Sequence, residues 1–417
     1  NIIKIKMNKF LYFLFSFSFA YNFRTAILND DSLTISWSTN NSYLSKPIIF
    51  YGLSPDNLNE TSTGFSIQYH QDSIHHHVPT HSLIPSSFYY LKTNHNPNIQ
   101  QFLSNPNINA EKQLRIAIYG DMGIVNSNNT MESLKKRNID LFLHIGDISY
   151  ADDKSEIGNN PYYESTYNKF QESVSLFSNN RPYMVCPGNH DISCHSISDF
   201  GCDKNLRNFT AFNSRFKMPD NGSKNMWYSF NYGPIHFISI NTETDYKNAP
   251  TTPNTIIGSG AGGGFGNQLK WLENDLKKVN RTERNWIIVY GHRPMYSKII
   301  FDYPLDSKLR VRNAFEPIFI KYNVDIYFAG HIHAYERMYR IINGKKNDNG
   351  IYHIISGAAG SQEKVDSYDY LKHDYTAYYD YENFGYGELA IIDKNNLEWN
   401  FFDNNSKIID NFIFEKK

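Results

Sequence analysis

An α/β domain preceded by a small all-β sandwich is the fold this sequence predicts, and two observations carry the prediction. Between about residues 22 and 95, apolar and polar residues alternate in short runs broken by turn residues, with no helical period longer than two turns. From residue 114 the pattern changes to apolar strand-like runs that alternate with helical repeats of three and four. A chain of 417 residues has room for two such domains. Lys plus Arg number 41 against 42 for Asp plus Glu, so no basic excess exists to bind nucleic acid and no acidic tail is present.

The N-terminal segment reads as a signal peptide. After Met7, Lys9 precedes the run "FLYFLFSFSFA", and Ser18 and Ala20 are small residues at the spacing of a cleavage site. Residues 1–20 are therefore expected to direct secretion, with residues 1–6 read as an upstream extension. The run is shorter than the roughly 20 apolar residues that a membrane span needs, and no later segment is long enough to anchor the chain. Sequons at Asn40, Asn59, Asn128, Asn208, Asn221, Asn280 and Asn404 suit a secreted or lumenal glycoprotein. With only Cys186, Cys194 and Cys202, no disulfide framework holds the fold. Cys194 and Cys202 are near enough to close a small loop, which leaves Cys186, in "PYMVCPG", as a buried thiol.

Residues 21–95 are assigned to the sandwich: Leu33, Ile35 and Trp37 alternate with Thr34 and Ser36, and "KPIIFYG" and "SFYYLKT" follow. His75, His76 and His77 are adjacent on one strand and so point to alternating faces, which favours a packing or surface role over a metal site. The Asn- and Pro-rich residues 96–113 read as a linker, and residues 114–417 as the second domain. Tyr163, Tyr167, Phe170, Val174 and Phe177 mark one helix and Leu269, Leu272, Leu276 and Val279 another. The cluster "GSGAGGGFG" at 258–266 lacks the Gly-Lys-Ser/Thr ending of a phosphate-binding loop and reads as a flexible loop.

Five apolar runs in this second domain end in polar residues of one kind. "YGDMG" delivers Asp121, "IGDISY" Asp147 and Tyr150, "PGNHD" Asn189 and His190, "VYGHRP" His292, and "AGHIH" His331 and His333. Open α/β sheets collect ligands at the carboxyl ends of strands. Carboxylates, an amide carbonyl and imidazoles form the mixed oxygen and nitrogen set of transition metals, and they are too many for one tetrahedral zinc. Two six-coordinate ions sharing a carboxylate fit the set better.

These motifs, in this order, resemble those of the purple acid phosphatases of the calcineurin-like metallophosphoesterase superfamily. The resemblance extends to "YGLSPDNL" in a fibronectin III-like N-terminal domain and to "MWYSFNYGPIHFISINTETDY" and "NQLKWLENDLKKV" in the catalytic domain. It implies a four-layer α/β/β/α sandwich behind the fibronectin-like sandwich. It also implies that Asp121, Asp147, Tyr150 and His333 hold a ferric ion, while Asp147, Asn189, His292 and His331 hold a divalent ion, Zn, Fe or Mn. Asp147 would bridge the two, and the Tyr150 phenolate would give the colour. His190 would contact the phosphoryl oxygens or protonate the leaving group. The implied activity is hydrolysis of small phosphomonoesters by a metal-bound hydroxide in a secreted or vacuole-like compartment. The chain departs from plant members in one respect: the loop "RPMYSKIIFDYPLD" carries none of their substrate-contacting histidines. Arg293, Tyr296 and Asp302 are the candidates for that task. Two other readings stand beside this one: a phosphodiesterase or nucleotide pyrophosphatase using the same metals, and a non-catalytic surface glycoprotein.

Overall fold

The computed structural model describes residues 20–416 apart from 41–44, 72, 109–112, 154–159, 179, 196–200, 251–261, 300–305 and 367–372. The segment read as a signal peptide thus lies outside the described residues except for Ala20. Eight strands open the chain: β1 (Tyr21–Asn29), β2 (Ser32–Thr39), β3 (Ile48–Gly52), β4 (Glu60–Thr63), β5 (Phe65–His70), β6 (Ser73–Pro79), β7 (Phe88–Thr93) and β8 (Asn96–Leu103). They make two antiparallel four-stranded sheets, ordered β1-β2-β6-β5 and β4-β3-β7-β8. Leu33, Ile35 and Trp37 are buried, and so are Thr34 and Ser36 between them, so this strand is covered on both faces.

One boundary is corrected. The first half of the expected linker is β8, hydrogen-bonded to β7 from Phe88↔Leu103 to Thr93↔Asn96. Pro97 is tolerated because it falls in the register irregularity between Asn96 and Gln100, where no ladder N–H is called for. His75, His76 and His77 on β6 are all buried and face the hydroxyls of Ser38, Thr39 and Ser36 at 3.0, 2.9 and 2.8 Å. They are packing residues.

The second domain continues with β9 (Leu114–Tyr119), α1 (Asn128–Lys135), β10 (Leu141–Ile145), α2 (Asn160–Ser178), β11 (Tyr183–Cys186), α3 (Thr210–Arg215), β12 (Tyr228–Tyr232), β13 (Ile235–Ser239), α4 (Gln268–Leu276), β14 (Trp286–Tyr290), α5 (Ser307–Lys321) and β15 (Ile326–Ala329). It closes with β16 (Tyr335–Ile342), β17 (Lys345–Lys346), β18 (Ile351–Ser356), β19 (Thr376–Asp380), β20 (Gly385–Ile391), β21 (Asn396–Asp403) and β22 (Ile408–Glu415). One sheet runs β11-β10-β9-β20-β21-β22; the other runs β12-β13-β14-β15-β18-β16-β17, with β19 on β16. Within them, β9, β10 and β11 are parallel neighbours, as are β13, β14 and β15.

Strand alternation builds the layers. Ile288, Tyr290, Ile326 and Phe328 share a core with Ile116 and Ile118 of the other sheet. Their strand neighbours Ile287, Val289 and Tyr327 share a second core with Leu272 and Leu276 of α4 and Phe315 and Phe319 of α5. On the outer face of the first sheet, Tyr163, Tyr167, Phe170 and Val174 of α2 are buried at the spacing read from the sequence. A disulfide joins Cys194 and Cys202, and Cys186 is a buried free thiol.

A buried polar joint connects the two domains. Arg215, with no exposed side-chain surface, donates to Glu164 at 2.6 Å, to the Tyr69 hydroxyl at 2.7 Å and to Gln171 at 2.7 Å. Tyr69 donates to Glu164 at 2.6 Å, and His77 Nε2 lies 2.9 Å from the Ser214 carbonyl. The sandwich is thereby locked to α2 and α3.

Candidate metal centre

The turns that leave β9, β10, β11, β14 and β15 converge at one edge of the paired sheets. Their backbone is bent beyond what most side chains adopt: Asp121, Asp147, Tyr150 and His331 have φ of 61°, 50°, 50° and 67°. Such left-handed residues cost of order 1–3 kcal/mol each and persist where the surroundings hold them. Two glycines make the crowding possible. A Cβ on Gly146, itself at φ +90°, would stand 2.3 Å from His292 Nδ1, and one on Gly188 would stand 2.1 Å from Asp147 Oδ1.

The eight residues singled out from the sequence all meet here, in two overlapping groups. The Tyr150 hydroxyl lies 3.0 Å from Asp121 Oδ1, 3.4 Å from Asp147 Oδ2 and 2.8 Å from His333 Nε2. His292 Nε2 lies 3.0 Å from Asp147 Oδ2 and 3.1 Å from Asn189 Oδ1. Asp147, His292 and His331 offer ligand atoms within 4.8 Å of one another, and the His292 and His331 rings are 5.1 Å apart. Asp147 belongs to both groups. Two of the imidazoles are aimed through their other nitrogen: His292 Nδ1 faces the Ile145 carbonyl at 3.2 Å and His333 Nδ1 the Lys364 carbonyl at 2.9 Å. His190 stands at the edge, its Nδ1 held by Asp152 at 2.9 Å and Asp153 at 3.0 Å, with Nε2 turned to the cluster 4.0 Å from Asp147 Oδ2.

The charges are strongly coupled. Burial pushes the Tyr150 phenol well up, and Asp121 and Asp147 push it further. Burial alone would lower His292 and His333, but Asp147 raises the first and Asp121 the second, each to about 9. Burial opposes ionisation of Asp147 too, and His292 and His190 overcome it and hold the carboxylate below its usual range. Against the lowering by burial, Asp152 leads the groups that drive His190 well up.

This donor set fits metal ions. Adjacent ligand atoms on an ion at about 2.0–2.2 Å stand about 3 Å apart, and the separations of 2.8–3.5 Å among Asp121, Tyr150 and His333 and among Asp147, Asn189 and His292 are of that size, with His331 within 4.8 Å of Asp147 and His292. A buried phenol beside two carboxylates becomes an anion only when positive charge joins them, which a hard cation supplies.

Four partners escaped the sequence reading. Asp152 and Asp153 follow Tyr150 in the same strand-end loop, so their position alone could have raised them. Glu363 carried no signal: the loop after β18 brings it within 3.8 Å of both His190 Nε2 and His333 Nε2. Glu243, fully buried after β13, holds Arg293 at 2.9 Å. Of the candidates in the loop after β14, Asp302 lies outside the described residues.

Comparison with known proteins defines the class first. The calcineurin-like phosphoesterase family model matches residues 114–335, which carry all eight residues. A second model, iron/zinc purple acid phosphatase-like protein C, matches residues 350–411. The chain belongs to the calcineurin-like phosphoesterases and, among them, to the purple acid phosphatases. It is 29% identical to an acid phosphatase of Aspergillus ficuum over 85% of this chain and 79% of that protein. It is 31% identical to acid phosphatase type 7 of Danio rerio, over 72% of this chain and 68% of the relative. It is 27% identical to purple acid phosphatase 21 of Arabidopsis thaliana over 94% and 83%. The fold matches that of purple acid phosphatase PPD1 from yellow lupin seeds with a TM-score of 0.77 at 20% identity, covering 96% of this chain and 75% of that one.

Proposed function

We propose that this protein is an acid phosphatase that hydrolyses phosphomonoesters at a binuclear Fe(III)–M(II) centre. The observation that carries the reading is the convergence of seven donors, from five strand ends, into two groups that share Asp147. Asp121, Asp147, Tyr150 and His333 would hold the ferric ion; Asp147, Asn189, His292 and His331 would hold the divalent ion, Zn, Fe or Mn. The ions, when bound, neutralise phosphoryl charge and turn water into a nucleophile even in acid.

The chain's own residues set the rest. Tyr150 is a phenolic donor suited to the harder ion, and its burial with the two carboxylates keeps water from competing for it. His190, tied at Nδ1 by two carboxylates, keeps its Nε2 proton directed at the cluster. It can bond a phosphoryl oxygen and pass that proton to the departing alkoxide. Against burial, Asp152 leads the acidic partners that raise His190 and so favour its protonated form.

A secreted or lumenal setting is part of the same proposal. Asn59 and Asn128 are exposed and open to glycans, whereas the amides of Asn280 and Asn208 are occupied, the first donating to Glu283 at 2.9 Å and the second accepting from the Gly263 amide at 2.9 Å. No helix among the described residues is long and apolar enough to cross a membrane.

The deciding experiment records the visible spectrum, metal content and hydrolysis of a chromogenic phosphomonoester on one purified sample. A broad visible band, iron and a second metal at one each per chain, and activity in acid are expected. A colourless, active protein with two divalent ions removes the ferric assignment. A protein that stays inert after reconstitution removes the phosphatase reading.

A further inference from the structure

The loop after β14 lacks the histidines expected to meet substrate, and the structure separates the residues that could replace them. Tyr296 turns away: its hydroxyl donates to Glu316 at 2.5 Å, accepts from the Gly344 amide at 3.0 Å, and its ring packs on His353 and Tyr375. It is a wall of the core. Arg293 turns in. Directly after His292, it is 3% exposed, its Nε is shared between both oxygens of Glu243 at 2.9 Å, and its NH1 lies 2.8 Å from His331 Nε2.

The base of this side chain is fixed as well. The Arg293 amide donates to Thr242 Oγ1 at 2.9 Å, and its carbonyl accepts from the Tyr327 hydroxyl at 2.7 Å. Glu243 therefore grips the guanidinium from behind through Nε, and the terminal nitrogen NH1 reaches the edge of the ligand cluster. A guanidinium cannot accept a hydrogen bond, so His331 Nε2 must present its lone pair to Arg293. A neutral imidazole has one lone pair. An ion on that nitrogen would displace NH1 directly; an ion on Nδ1 would leave an N–H on Nε2 facing the N–H of Arg293. Ligation by His331 and the bond from Arg293 are alternatives. NH1 also lies 3.4 Å from Ser307 Oγ; with His331 engaged, the guanidinium stays anchored by Glu243, keeps its permanent charge and turns the N–H given up by His331 toward an oxyanion beside the ions.

We propose that Arg293 is the phosphoryl-oxygen clamp of this site and that Glu243 is its positioning residue. The inference rests on the phosphatase reading above and deepens it: the chain replaces proton-bearing imidazoles with one fixed cation, which holds the phosphate and cannot serve as an acid. Planar fork donors match two phosphate oxygens, and charge-assisted bonds of this kind are the strong ones.

The test is calorimetric binding of orthophosphate to the metal-replete protein, with iron and zinc measured on the same samples. Arg293→Gln is expected to weaken phosphate binding about 10- to 100-fold with metal content unchanged. Arg293→Lys should lose about tenfold, because a point charge survives without the fork. Glu243→Gln should weaken phosphate binding by a smaller factor. Arg293→Gln strands a buried carboxylate, so if it does not fold, the neutral pair E243Q/R293Q carries the same measurement. Unchanged phosphate affinity overturns the proposal, and so does a loss of metal that parallels the loss of phosphate, which would make Arg293 a support for His331. Phosphate bound through Arg293 without any ester hydrolysis would remove the phosphatase reading and leave the clamp standing. Hydrolysis with phosphate affinity indifferent to residue 293 would remove the clamp alone.

Discussion

The joint between the domains and the strand-end cluster are both buried, both hold histidine and carboxylate, and behave in opposite ways. In the joint, His77 is bonded on both nitrogens, to Ser36 Oγ and the Ser214 carbonyl, and sits on a regular strand. Burial pushes it down to about 3, with the nearby Arg24 and Lys217 charges adding to the effect. In the cluster, His292 and His333 face carboxylates across left-handed turns and are raised to about 9. A neutral, satisfied histidine holds structure; one aimed at converging anions waits for a cation. Histidine count distinguishes neither, and the partners of the ring nitrogens distinguish both.

Three changes would break or sharpen this contrast. Asp147→Asn should have the largest effect, since Asp147 belongs to both donor groups. Hydrolysis should fall by more than about 10³-fold, with metal content reduced and the fold retained by circular dichroism. Preserved activity would end the shared-carboxylate arrangement. At the joint, Arg215→Met leaves the buried Glu164 carboxylate without its counter-charge and held by the Tyr69 hydroxyl, at about 3–5 kcal/mol of stability. Chemical denaturation should show that loss, while turnover per folded molecule changes little. Turnover that collapses at full occupancy of the fold would mean that the joint acts on the site.

The smallest effect is a slope. His77 has a folded pKa below its unfolded one, so its contribution to stability is complete above about pH 6.5 and is lost as pH falls towards 3. In that window it should contribute about 1.4 kcal/mol per pH unit. His77→Gln should flatten the stability–pH curve by that amount between pH 6 and 4. An unchanged slope would show that His77 takes up a proton within the folded joint.

Much of the site was legible in the chain because its residues are local to strand ends. Asp121, Asp147, Tyr150, Asn189, His190, His292, His331 and His333 each follow an apolar run and a glycine, and the structure brings all eight together. The α2 pattern was legible for a similar reason, since a period of 3.6 is written in consecutive residues. The linker was misread because Asn and Pro signal turns locally, whereas the pairing of Asn96–Leu103 with β7 is a matter of register between strands.

By itself the sequence determined the order of the two domains, the strand-end positions of the clustered polar residues and the mixed oxygen and nitrogen chemistry they offer. Those properties follow from local periodicity and from side-chain chemistry, which a residue carries wherever it is placed. Only the tertiary structure decided that Glu363 and Asp152 flank His190, that Glu243 grips Arg293, and that Arg293 rather than Tyr296 faces the ligand cluster. Glu243 and Arg293 are 50 residues apart and leave different strands. Their meeting depends on the register of β13 against β14, and no periodicity in the chain encodes it.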